Sequence, residues 1–155
     1  MIDYVLNDLK FDGKYRRERI VVGCLGWLAQ LKDENGFDVP FCEVLFAAGE
    51  LKVLHSYAVE RYMAIYDVRF CTGMIPLAKK LFKAGDPLAA CIFMRGAIYY
   101  LMGMGNSRYC NDVHAHRRTL AEMAASVKDW ENVEPQSSFD SDFAADFANR
   151  RTFWF

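Results

Sequence analysis

The chain has 155 residues, 53% of them hydrophobic and 15% aromatic, and a formal net charge of -1. Such a composition excludes a largely disordered chain, and the length suits one domain that buries roughly 70% of its unfolded surface. The near-zero charge excludes a global electrostatic pull toward nucleic acid or anionic membrane, so binding of either kind needs a local patch.

Cys24, Cys42, Cys71, Cys91 and Cys110 are scattered, never form a Cys-x-x-Cys pair, and fall mostly among apolar neighbours. Asp3 and Asp8 interrupt the N-terminal apolar residues where a signal peptide would run. Together these features lead to the expectation of a reduced, cytoplasmic protein.

In chain order, residues 2–10 make a short helix at best, broken at Asp12-Gly13. Val21, Cys24, Leu25, Leu28 and Leu31 then follow helical spacing, and Asn35-Gly36 ends that helix. Lys14, Arg16, Arg17 and Arg19 crowd its first turns, where cations oppose the macrodipole by about 0.3–1 kcal/mol each. A phosphate or carboxylate group of a partner would relieve the conflict.

Residues 40–70 read as helical with a break near Ala48-Gly49, and Leu51, Leu54, Ala58, Tyr62 and Ile65 share one face. His55 lies on that face and reads as a core or half-buried histidine with a hydrogen-bond partner. A short strand over 65–70 would have no partner, which favours helix. Met74 begins another helix, with Leu77, Leu81 and Phe82 inward, ended by Gly85.

Residues 86–104 form the organising element. They are apolar on nearly every side, so other helices must surround them. Asp86 is a suitable N-cap, Pro87 fits the first helical position, and Gly105-Asn106 supplies the stop. At ~27 Å this helix could nearly cross a bilayer. Arg95 at its middle would cost about 2.5–3.5 kcal/mol there, so a core helix in a protein that does not enter the membrane is expected. Asp67 or Glu60 is the expected partner of Arg95. Ala89, Gly96 and Gly103 make a seam of small residues for helix association.

Leu77, Ala78, Leu81, Gly85-Asp86, Ala90, Met94 and Ala97 resemble one tetratricopeptide repeat. A second copy is missing, so the segment reads as a generic antiparallel hairpin, and no family is claimed.

A further helix spans about 109–130, with Leu120, Met123, Ala124 and Val127 inward. Its start holds Cys110, Asp112, His114 and His116, all atoms zinc accepts. On a helix the two histidines point about 200° apart, so a metal-dependent enzyme is the third reading and no cofactor is expected. The usual helical zinc and di-iron patterns do not occur, nor does a Walker loop or a serine-hydrolase elbow.

Residues 131–138 look like a linker. Beyond it Phe139, Phe143 and Phe147 stand at i, i+4 and i+8, and the chain closes Phe153, Trp154, Phe155. This aromatic stripe predicts a docking helix that seats on its own domain or on a second copy, the second copy being favoured.

The expected architecture is therefore an all-α bundle of about six or seven helices around 86–104. A core domain would span 1–131, with a linker and amphipathic aromatic segment over 132–155. The expected function is that of a small cytoplasmic adaptor or regulatory protein, a homodimer, acting by protein–protein binding. Its partner-binding residues would be Lys14, Arg16, Arg17, Arg19, Phe139, Phe143, Phe147, Phe153, Trp154 and Phe155. Nucleic-acid binding through those basic residues and the pairs Arg117-Arg118 and Arg150-Arg151 is the second reading.

Overall fold

The computed structural model describes residues 36–68, 73–105 and 107–150. Among these, the chain forms six α-helices and two 3-10 helices, and no strand. They are α1 (Val39–Ala48), α2 (Leu51–Glu60), a 3-10 helix (Tyr62–Asp67), α3 (Met74–Lys83), α4 (Pro87–Gly103), a 3-10 turn (Ser107–Tyr109), α5 (Cys110–Ala125) and α6 (Gln136–Asp146).

Local chemistry starts α1 and α4 as the sequence implies. The Asp38 side chain accepts from Phe41 N–H at 2.9 Å ahead of α1, and Gly49, at φ 78°, turns the chain into α2. Asp86 caps α4 in the same way, its Oδ1 accepting from Ala89 N–H at 3.1 Å. Gly85, at φ 89°, makes the tight corner that folds α3 back on α4.

α4 is the hub. It packs against α2, α3, α5 and the 3-10 helix that follows α2, and every residue from Leu88 to Ile98 is buried. The small-residue seam is used in part. A Cβ on Gly96 would fall 2.6 Å from Ile65 Cγ1 and 3.3 Å from Met74 Sδ, so glycine is what admits the 3-10 helix to α4. Gly103 meets nothing within 4 Å, and the seam therefore stops short of it.

Two features differ from expectation. α5 ends at Ala125 and not near Trp130, because Ser126 and Val127 donate back to Met123 and Ala124 in a tightened last turn. The segment expected as a linker also reaches the core, with Val133 buried in the same cluster as Phe139 and Phe143.

The C-terminal helix docks on its own domain in the single chain described. Tyr99 of α4 is its main receptor, with ring centroids 5.8, 5.6 and 5.4 Å from those of Phe139, Phe143 and Phe147. Tyr99 also donates its hydroxyl to Asp146 at 2.8 Å. Among the described residues, no helix is long and apolar enough to cross a membrane.

Candidate functional site

The sequence-derived candidates scatter in space. Lys14, Arg16, Arg17 and Arg19 lie outside the described residues, as do Arg151, Phe153, Trp154 and Phe155. Phe139 and Phe143 are buried and Phe147 half-buried, so these rings serve the fold. Arg117 sits 5.1 Å above the Phe143 ring with Asp140 3.5 Å away.

Asp112 and His114 are exposed at the start of α5, whereas Cys110 and His116 are half-buried. Among the described residues, no three His, Cys, Asp or Glu side chains gather to hold a metal ion. Desolvation and the charge of Lys79 push the His116 pKa down.

Arg95 is 1% exposed, and its setting corrects the expected pairing with Asp67 or Glu60, both of which are exposed. The guanidinium lies 4.7 Å from the centroids of both Trp130 and Phe139. It donates to the Glu134 carbonyl at 2.9 Å and to Gln136 Oε1 at 3.1 Å, with the Glu134 carboxylate 3.9 Å away. Tyr66 holds that carboxylate through a 2.8 Å hydrogen bond. The Nε atom alone is buried without a partner. Two ring faces, two neutral oxygens and the Glu134 carboxylate thus surround the cation, which ties the residues around α6 to the centre of the core.

The site that a sequence reading misses is a cleft of about 980 Å³ that opens between α2, the α3–α4 corner and the end of α5. Leu51, Phe82, Leu88 and Val127 give it apolar walls, while the exposed Lys52, Lys128, Asp129 and Glu131 surround them with both signs of charge.

His55 stands in the cleft between two carboxylates. Its Nδ1 is 2.9 Å from Asp86 Oδ2, and its Nε2 is 2.8 Å from Glu131 Oε1. Asp86 serves twice, since its other oxygen caps α4. Glu131 comes from an exposed turn with φ 51°, where its own N–H donates to Asp129 Oδ1 at 2.8 Å. Ionised carboxylates only accept, so the doubly protonated ring, a donor at both nitrogens, fits both contacts at once. Helical spacing makes His55 a core or half-buried histidine with a partner, and nothing in local sequence could pair it with residues 31 and 76 positions away.

Desolvation lowers the His55 pKa, but the bonds and charges of Asp86 and Glu131 outweigh it, and the net shift is upward from 6.5. A folded pKa above the unfolded one favours the native state at low pH. The contribution is complete below about pH 6.5 and fades as pH rises through the elevated folded value. Partial exposure limits it to ~1 kcal/mol or less. Denaturant melts from pH 6 to 9 are expected to show this loss in the wild type and not in His55→Gln; matching profiles would dismiss the clamp.

Thiol chemistry is disfavoured at Cys42 and Cys91, the two cysteines that are fully buried among the described residues. Burial pushes Cys91 up to about 12, and burial with the charges of Asp38 and Glu43 raises Cys42. A thiol so held is rarely the reactive thiolate. No protein-family model matches the chain, and neither does any curated protein or solved structure.

Proposed function

We propose that this chain is a small, non-catalytic adaptor or regulatory protein that binds a segment of another protein in the cleft beside His55. The observation that carries the reading is the cleft itself: about 980 Å³, apolar on its walls and charged at its mouth. That volume is at the upper end of ligand-sized pockets, large enough for several side chains of a peptide. Apolar surface interleaved with polar and charged groups also suits a protein interface.

The state of His55 supports binding over catalysis. With both nitrogens engaged by carboxylates, the ring has no free lone pair to act as a base and no free site for a metal. Its bond to Asp86 braces α2 against the start of α4, which keeps these two walls of the cleft in place. Preformed sites lose less entropy when a partner binds.

The test is a comparison of two tryptophan insertions at exposed positions. Ser126 lines the cleft, and Ser137 lies on α6 away from it. Proteins co-purifying from the source cells would be quantified for wild type, Ser126→Trp and Ser137→Trp at matched melting temperature. A partner retained by wild type and Ser137→Trp and reduced about tenfold or more by Ser126→Trp, a loss of ~1.4 kcal/mol, supports the reading. Equal recovery with all three proteins would rule it out.

A further inference from the structure

The contact between Glu131 and His55 has the form of a bound ligand. A carboxylate carried on an exposed turn reaches into the cleft and takes the imidazole N–H at Nε2, 2.8 Å away. Its anchoring differs from that of Asp86. Asp86 is 16% exposed and held from two sides, by His55 and by the α4 N-terminus, whereas the Glu131 side chain is 42% exposed.

The charges in the cleft point the same way. From α2 come Lys52 and His55, from the α4 start Asp86, and from the end of α5 and its turn Lys128, Asp129 and Glu131. With the imidazole protonated these cancel, three cations against three anions. Withdrawal of Glu131 leaves three against two, with an unfilled donor at the centre. A second carboxylate is what that arrangement would attract.

We propose that Glu131 fills, in cis, a carboxylate subsite of the cleft, and that an aspartate or glutamate side chain of the partner segment displaces it on His55 Nε2. Glu131 then acts as an internal competitor that the partner must outbid. Apolar residues flanking the incoming acid would rest against Leu51, Phe82 and Val127. The inference deepens the docking role proposed above and rests on it.

The experiment uses an acetylated, amidated pentapeptide with a central glutamate between leucines, and its glutamine counterpart. Each is titrated by calorimetry into wild type, Glu131→Gln and Glu131→Asn, while the His55 ring nitrogens are followed by NMR. Asparagine tolerates the left-handed backbone of this turn, so one of the two variants keeps its geometry. The glutamate peptide is expected to bind the variants about tenfold tighter than wild type at pH 6, with a shift at His55 Nε2. The gain should disappear at pH 9, when the imidazole has lost a proton, and should be lost on adding His55→Gln.

Equal gains for the glutamine peptide, or no gain in either variant, would overturn the subsite. A third peptide with glutamine at the centre and a free C-terminus tests the other source of a carboxylate. Tighter binding of that peptide alone would overturn the assignment to a side chain. Should Ser126→Trp still abolish partner recovery while Glu131 proves irrelevant, the cleft keeps its docking role and only the subsite falls. If Ser126→Trp changes nothing, the docking role fails first.

Discussion

Replacing Arg95 by alanine is expected to lower the unfolding free energy by roughly 3–5 kcal/mol, the range for breaking a buried charged network. The variant loses the hydrogen bonds to the Glu134 carbonyl and to Gln136, and leaves both acceptors facing a void. It also loses the stack between Trp130 and Phe139. Lysine should rescue little, because an ammonium is a point charge that can neither fork to two oxygens nor lie flat between two rings. Urea melts of Arg95→Ala and Arg95→Lys provide the measurement. A change below ~0.5 kcal/mol for the alanine variant, within the range of ordinary surface substitutions, would mean that the guanidinium does not support the core.

The second large effect is expected at Phe143. Its ring is fully buried among Tyr99, Phe139 and Phe147, with Arg117 above it. Phe143→Ala should lower stability by about 3–5 kcal/mol, as deletion of a core phenylalanine does. The loss should be local at first. An eleven-residue helix is marginal in water by itself, so α6 persists only through this packing. Hydrogen exchange should therefore show residues 136–146 losing protection well before α4. Uniform loss of protection across α4 and α6 would instead make α6 an inseparable part of one cooperative unit.

What could be read from the sequence was governed by contacts within a few residues. Asp86, Pro87 and the apolar run behind them define α4, because capping and burial there are local properties of the segment. The break at Gly49 and the corner at Gly85 were equally plain, since both need a positive φ. The buried state of Arg95 followed from its neighbours on the helix, but its partners did not. Asp67 and Glu60 are charged candidates 28 and 35 residues before Arg95, whereas the acceptors are a main-chain carbonyl 39 residues further along and the side-chain oxygen of Gln136, groups that carry no formal charge to mark them in the sequence.

The candidate site was less legible for the same reason. Helical spacing puts His55 on the inner face of its helix, yet its two carboxylates come from separate turns. Glu131 belonged to a stretch whose polar composition suggests a linker, and a left-handed backbone at a glutamate has no sequence signature. Ala125 and Val127 likewise carried no stop signal, which is why the end of α5 was expected five residues too late.

The position of Arg95 along the chain has a consequence for synthesis. α4 is complete when residue 103 leaves the ribosome, and by then its apolar faces can already collect α1, α2 and α3. The groups that take up the charge of Arg95 lie at residues 130, 134, 136 and 139, and at about 5–20 residues per second they follow only seconds later. During that interval the nascent bundle must either hold an unneutralised cation in its centre or keep that side of α4 open to water. The second state is the cheaper one. The growing chain therefore waits half-closed, and its last turns shut it.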